Sequence, residues 1–279
     1  MGAPAESLSF NLPSVIPATV PGTVHTDLLS AGLIPDPYLG TVENSVQWIG
    51  QVTWAYRTTF DCDVFQGDRA ELVFDGLDTI ANVLLNGDLI AETENQHRTY
   101  RFDITEAVRA QGNVLEVFFS PSWDYAKARE AQLGELPNAY PTPFNFVRKM
   151  AANFGWDWGP RLVTAGIWKD VRIEIWSTAR LAETRVETSV VGDDKTVKVF
   201  TKVVPAGDAP IPSGLKARLS MGEKFVVSKV AGDQLELSLS SQDFQLWWPR
   251  GIGPPELHTV HIELLRGDEV IDQWTRRIG

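Results

Sequence analysis

The segment Leu84-Leu85-Asn86-Gly87-Asp88-Leu89-Ile90 predicts a tight β-hairpin. Asn-Gly tolerates a positive φ angle at both central positions, which a two-residue type I′ turn requires. The residues on either side are largely apolar and suit two paired strands. The chain therefore contains at least one antiparallel connection that is set by local sequence alone.

Short strands are predicted on both sides of this hairpin. Apolar and charged residues alternate along Val171-Arg172-Ile173-Glu174-Ile175, as expected of a strand with one buried face. Residues 53–60 are rich in aromatic and β-branched side chains, and residues 114–119 are mostly apolar, which suits a pleated surface. Helices are predicted only over residues 24–31 and 123–133. Many short strands with few helices indicate an all-β sandwich or jelly roll.

The chain divides into two predicted domains, residues 1–178 and residues 179–279. Its 279 residues suit two domains better than one. Residues 1–179 carry 12 Lys and Arg against 22 Asp and Glu, whereas residues 180–279 carry 13 against 14. The second part has seven predicted strands, the number expected of an immunoglobulin-like sandwich. These strands are predicted at residues 185–190, 196–204, 215–221, 225–230, 235–239, 260–265 and 270–274.

The composition argues against several classes of function. A formal net charge of −11 disfavours binding to nucleic acid, because the phosphate backbone is also negative. Cys62 is the one cysteine, so neither an internal disulfide nor a cysteine-rich metal site can form. His258 and His261 lie three residues apart on a predicted strand and therefore face opposite sides, which argues against a metal pair. We predict no metal and no cofactor.

The hydropathy pattern favours a cytoplasmic protein with no membrane partner. No apolar run approaches the roughly 20 residues that cross a bilayer. Residues 1–10 lack the basic and apolar regions of a signal peptide. A single cysteine also suits a reducing compartment.

The segment Phe154-Gly155-Trp156-Asp157-Trp158-Gly159-Pro160 has the most unusual composition in the chain. Indole faces pack against the apolar face of a sugar ring, and a carboxylate accepts hydrogen bonds from sugar hydroxyl groups. The glycines permit sharp turns and close approach. A structural role, with both tryptophans in the core and Asp157 capping a turn, stays open on these residues alone.

Other aromatic and polar residues are assigned packing roles. Asn44 and Trp48 could line a pocket, but packing is the simpler interpretation. Trp247 and Trp248 are adjacent on a predicted strand, so one is expected to fill the core and the other to seal a domain contact, with a sugar platform as the alternative. No phosphate-binding loop, nucleophile elbow, HExxH or CxxC motif occurs. No pair of carboxylates can be assigned to acid and base catalysis from spacing.

Taken in order, these segments resemble β-mannosidases of glycoside hydrolase family 2. Single landmarks are weak, but their order and spacing are specific, and they cover about residues 15–279. The WDWGP group points within the family to mannosidases rather than β-galactosidases. The landmarks are PATVPGTVHTDL (17–28), IPDPY (34–38), VQWIG (46–50), WAYR (54–57), FDGLDT (74–79), LNG (85–87), FVRK (146–149), FGWDWGP (154–160) and GIW (166–168).

The resemblance implies a galactose-binding-like jelly roll followed by an immunoglobulin-like sandwich. It also implies a further (β/α)8 barrel with two catalytic glutamates, one acting as acid and base and the other as the nucleophile of a retaining hydrolysis. Trp156 and Asp157 would line the subsite for the terminal mannose, and Asp157 would hydrogen-bond the ring hydroxyl groups. Trp158 is expected to pack inside its own domain. No catalytic residue is assigned to this chain.

The main hypothesis is that the chain is the non-catalytic N-terminal portion of a retaining exo-β-mannosidase. Alone it would be inactive and bind sugar poorly. Its partners would be a β-mannoside or manno-oligosaccharide and the barrel, and the uncovered apolar surface predicts homo-oligomers. The alternatives are a stand-alone carbohydrate-binding module, or the same portion of a family 2 β-glucosaminidase or β-galactosidase.

Overall fold

The computed structural model describes residues 13–63, 68–138, 140, 142–207 and 210–279. These residues form two compact units, which we call the first unit (residues up to 174) and the second unit (residues from 175 onward, together with residues 68 and 69). β-Sheets make up each of them, with two short α-helices in the first unit. The all-β fold class expected from the sequence is confirmed. No helix in the described ranges is both long and apolar enough to cross a bilayer.

The first unit opens with helix α1 (Val24–Ser30) and a 3₁₀ helix (Val42–Gln51). Thr23 caps α1, because its hydroxyl group accepts a hydrogen bond from the backbone N–H of Thr26, a donor that has no partner within the helix. Helix α2 (Ser122–Leu133) lies later in the chain. The strands lie in this unit except for the first residue of β2 and the last two of β7, which the division above assigns to the second unit. They are β1 (Trp54–Phe60), β2 (Arg69–Phe74), β3 (Ile80–Leu85), β4 (Asp88–Glu94), β5 (Tyr100–Asp103), β6 (Asn113–Ser120) and β7 (Val171–Trp176).

The strands form a four-stranded sheet, in the order β1-β6-β3-β4, and a three-stranded sheet, in the order β5-β2-β7. The predicted hairpin joins β3 to β4, with φ angles of 56° at Asn86 and 92° at Gly87. Inward-facing side chains of both sheets form the core, where Phe74, Leu85 and Phe119 are completely buried. Each such apolar side chain contributes roughly 1.5–3 kcal/mol by leaving water.

The second unit has the predicted immunoglobulin-like character. Its sheets have the strand orders β11-β10-β13-β14 and β12-β9-β8. Every strand predicted after residue 180 is present, and the buried residues alternate regularly, as in β12. The strands are β8 (Ala179–Val191), β9 (Asp194–Pro205), β10 (Leu215–Met221), β11 (Lys224–Lys229), β12 (Gln234–Ser241), β13 (His258–Arg266) and β14 (Glu269–Ile278).

The prediction that Trp247 and Trp248 share a strand, with one of them in the core, is wrong. Both lie in the loop between β12 and β13, and they are 45% and 44% exposed. The prolines that follow explain this, because Pro249 and Pro255 have no backbone N–H to donate to a sheet. A hydrogen bond of 3.0 Å from the N–H of Trp248 to the carbonyl oxygen of Pro254 closes the loop instead.

Candidate functional site

The loop at residues 155–160, which we call the tryptophan loop, carries three exposed side chains in succession. Trp156 is 42% exposed and Trp158 is 76% exposed, and Asp157 between them is also exposed. No hydrogen bond or ion pair of Asp157 occurs in the part of the chain that the structure describes. Its carboxylate is therefore available to accept hydrogen bonds from a ligand.

Local backbone geometry determines the shape of this loop. A 3₁₀ helix (Ala151–Phe154) ends at Gly155, whose φ of 106° is rarely adopted by any residue other than glycine. Trp156 and Gly159 then face each other across a short bridge, with N–O distances of 3.5 Å in both directions. Asp157 occupies the turn between them, so its side chain points to solvent.

The expectation that Trp158 packs inside its own domain is wrong. Trp158 occupies the second position of the same two-residue turn, where most of its side chain is exposed. Trp156 differs, because its ring contacts the ring of Tyr140 with a centroid distance of 5.5 Å. Trp156 is thus supported on one side by a tilted ring contact, while 42% of it stays exposed.

Hydrogen bonds hold both ends of the tryptophan loop in place. The side-chain amide of Asn153 donates to the carbonyl oxygen of Leu162 at 3.1 Å, which ties the two ends together. On the C-terminal side, the Arg161 Nε donates to Gln47 at 2.7 Å, and the Arg161 backbone N–H donates to Glu43 at 3.1 Å. The base of the loop is therefore fixed although its tip is exposed.

A buried ion pair lies next to this segment. The side chains of Lys149 and Asp78 are both fully buried and in direct contact. The Lys149 ammonium group also donates to the carbonyl oxygen and to the hydroxyl group of Thr164, at 3.0 and 3.1 Å. Thr164 in turn donates to the second oxygen of Asp78 at 2.6 Å, and Thr79 donates to the first. The pair thus joins the chain before the tryptophan loop to the chain after it.

His25, on α1, is a neutral neighbour of this pair. Burial, together with the positive charge of Lys149, lowers the pKa of His25 from 6.5 to about 4, although Asp78 opposes the change. The His25 Nδ1 is buried, and it has no hydrogen-bond partner within the described ranges. Burial also lowers the pKa of Lys149, and the adjacent Asp78 carboxylate opposes this. The network is therefore a structural support rather than a proton donor to solvent.

The two predicted site residues, Trp156 and Asp157, lie next to each other in the tryptophan loop, and both are exposed. Trp48 packs against Trp54 with a centroid distance of 5.8 Å, in keeping with a packing role. Sequence reasoning did not find Lys149 as a support, although it belongs to the quoted FVRK landmark. Within the described ranges, no group of His, Cys, Asp and Glu side chains is arranged to hold a metal ion.

Comparison with known protein families gives two matches that together span most of the chain. A family described as glycosyl hydrolase 2 galactose-binding domain-like matches residues 5–169. A family described as glycosyl hydrolases family 2 matches residues 179–279.

Comparison with individual proteins gives similar relatives that are considerably longer. The Beta-mannosidase B of Aspergillus terreus is 37% identical over 273 residues, covering 94% of this chain and 32% of that protein. The crystal structure of the β-D-mannosidase from Dictyoglomus thermophilum superposes with a TM-score of 0.79 at 30% identity, covering 94% of this chain and 33% of that one. The exo-chitosanase of Amycolatopsis orientalis shares the fold, with a TM-score of 0.72 at 21% identity, over 95% of this chain and 30% of that one. The chain thus spans about a third of the length of these relatives.

Proposed function

Because this chain belongs to glycoside hydrolase family 2, we propose that it is the non-catalytic N-terminal portion of a retaining exo-β-mannosidase acting on terminal β-D-mannose residues. The stretch it matches is the N-terminal third of β-mannosidases. We propose a galactose-binding-like domain at residues 1–178 and an immunoglobulin-like domain at residues 179–279. The partner that completes the site would be a catalytic (β/α)8 barrel, and the ligand would be a β-mannoside or manno-oligosaccharide.

The observation that carries this proposal is the exposed, unpaired carboxylate of Asp157 beside the supported indole of Trp156. A carboxylate accepts hydrogen bonds from two neighbouring sugar hydroxyl groups, and charged hydrogen bonds are stronger than neutral ones. An indole offers a flat apolar wall to the C–H face of the sugar. In this role Asp157 binds the ring hydroxyl groups of the terminal mannose and Trp156 forms one wall of its subsite.

The decisive experiment measures the kinetics of the complete enzyme that contains this chain, with an aryl β-mannoside as substrate. A hydrogen bond to a charged group contributes about 1.5–3 kcal/mol, so Asp157→Ala should lower kcat/KM by about 10- to 100-fold. The matched control is Asp88→Ala, which removes an exposed aspartate from the β3–β4 hairpin and should leave the kinetics unchanged. Equal kinetics for the Asp157 variant and the wild type would refute the assigned role.

The proposal also predicts that the isolated chain is inactive and that the complete enzyme prefers mannosides. This chain alone should release no product from an aryl β-mannoside, since the proposed nucleophile and acid belong to the barrel. A panel of aryl β-mannoside, β-glucosaminide and β-galactoside, tested on the complete enzyme, examines the sugar preference. Faster cleavage of either of the last two would overturn the mannosidase assignment.

We propose a cytoplasmic location for the protein, because its one cysteine suits a reducing compartment. Cell fractionation with an antibody against the chain tests this. Recovery of the protein in the medium or in a secretory compartment would refute it.

A further inference from the structure

A cleft of about 350 Å³ opens in the first unit, next to the base of the tryptophan loop. Its volume falls within the range of small-ligand sites. Three segments contribute to it: α2, the 3₁₀ helix Val42–Gln51 and the residue that follows the tryptophan loop. It is lined by Gln47, Gln51, Trp123, Asp124, Lys127 and Arg161.

Trp123 offers an aromatic face inside this cleft. Its ring is held by an edge-on contact with the ring of Phe154, with a centroid distance of 5.0 Å and an interplanar angle of 80°. The Lys127 ammonium group lies over the ring, 5.8 Å from its centroid. Trp123 and Lys127 both line the cleft, so the indole is reached from the cleft beside the Lys127 side chain. A fixed indole face of this kind suits the C–H face of a pyranose ring.

Polar groups of both signs surround that face. Asp124 is exposed and has no hydrogen bond or ion pair in the part of the chain that the structure describes. Arg161 donates its Nε to Gln47, and Gln47 donates back to the carbonyl oxygen of Arg161, both at 2.7 Å. This exchange fixes the guanidinium group through its Nε, and within the described ranges its terminal nitrogens make no hydrogen bond. The cleft therefore combines an acceptor, Asp124, with two cationic donors.

We propose that this cleft binds one hexopyranose unit of a neutral oligosaccharide, a second sugar site that is separate from the tryptophan loop. The hydroxyl groups of a neutral sugar both donate and accept hydrogen bonds, so such a sugar uses the Asp124 carboxylate and the two cationic donors together. The indole face adds selectivity for a pyranose over a compact polar molecule. That the unit is a mannosyl residue rests on the function proposed above.

A row of aromatic rings connects this cleft with the tryptophan loop. From Trp123 it runs through Phe154, Phe144 and Tyr140 to Trp156, with successive centroid distances of 5.0, 6.5, 6.3 and 5.5 Å. Packed rings of this kind hold both indoles on one rigid support. A manno-oligosaccharide bound in the cleft would thus be held at a fixed position relative to Trp156.

The test is a titration of the 279-residue chain with β-1,4-mannotriose, followed by saturation-transfer NMR and calorimetry. One stacked ring with a few exposed hydrogen bonds should give a Kd of about 1–10 mM. Asp124→Asn and Lys127→Met, both at exposed positions, should weaken binding at least tenfold without altering the circular dichroism spectrum. The matched control Asp88→Asn should bind like the wild type. Trp123→Ala, checked for folding in the same way, should abolish binding.

Three outcomes would overturn the proposal. One is no binding at ligand concentrations up to about 50 mM. Another is loss of binding in Asp157→Asn but not in Asp124→Asn, which would place the sugar on the tryptophan loop and leave the function proposed above intact. The third is preferential binding of a mannuronate oligosaccharide, which would identify an anion site. None of these three outcomes determines the result of the kinetic assay of the Asp157 variant, so the two proposals can be tested separately.

Discussion

Replacing Lys149 with methionine should destabilise the first unit by about 3–5 kcal/mol, the usual cost of removing one partner of a buried ion pair. The cost is large because the Lys149 and Asp78 side chains have no exposed surface, so the variant leaves a buried carboxylate without its counter-charge. Thr164 also loses both contacts that the ammonium group makes with it. Methionine preserves most of the side-chain length, which limits the contribution of a cavity.

Urea-induced unfolding, followed by tryptophan fluorescence and far-UV circular dichroism, measures this effect. The matched control is Arg57→Met, which removes the cation of an ion pair of 3.5 Å with Glu116 whose arginine is 65% exposed and should cost less than about 1 kcal/mol. The double variant Lys149→Met with Asp78→Asn should be more stable than Lys149→Met alone, because neither charge then remains buried. A Lys149 variant as stable as the Arg57 variant would refute the buried-pair argument.

Smaller effects are expected at His25, Gly87 and Trp158. The pKa of His25, lowered from 6.5 to about 4 mainly by burial, means that the unfolded state protonates first as the pH falls. The free energy of unfolding should therefore fall by about 3 kcal/mol between pH 6.5 and pH 4, and this contribution is fully present above pH 6.5. In His25→Gln the urea midpoint should depend less on pH across that range than in the wild type. The same pH dependence in both proteins would contradict this. Gly87→Val should lower the thermal midpoint by the equivalent of about 1–2 kcal/mol, because its φ of 92° strains any side chain; an unaltered midpoint would argue against the turn geometry. Trp158→Ser should change the free energy of unfolding by less than about 0.5 kcal/mol, since the ring is 76% exposed. The same variant should form fewer homo-oligomers than the wild type in light scattering. A wild-type chain that stays monomeric at high concentration would contradict this second prediction.

Features encoded over short stretches of sequence were predictable. The β3–β4 hairpin follows from two turn residues, and the seven strands of the second unit follow from period-two alternation. The start of β8 shows where this reasoning stops. The strand begins at Ala179, but its prediction began at Arg185, because Glu183 has a φ of 50° and the register shifts between Ala182 and Arg185. A bulge of this kind interrupts the alternation that the prediction depends on.

Features made by distant residues were not predictable in the same way. Lys149 and Asp78 are 71 residues apart, and Arg161 and Gln47 are 114 residues apart. Spacing along the chain carries no information about such contacts, so neither the buried pair nor the cleft beside α2 could be found. The prediction for Trp158 was wrong for another reason. Tryptophan is on average well buried, and nothing in the local sequence indicates that this one lies at the tip of a turn.

The contrast between the base and the tip of the tryptophan loop is the argument for a binding role. A loop that is merely poorly packed would lack ordered contacts at its ends, whereas Asn153 and Arg161 fix this one through side-chain hydrogen bonds. Exposing two indoles forgoes the favourable burial of large apolar surfaces, and nothing in the fold requires it. Here a rigid base holds apolar side chains and a carboxylate in solvent, an arrangement that does not contribute to stability. Such departures from a stable arrangement are expected at binding sites. The same reasoning separates Asp157 from Asp78, since Asp78 is satisfied by its buried neighbours, whereas Asp157 is exposed and accepts no hydrogen bond from the described residues.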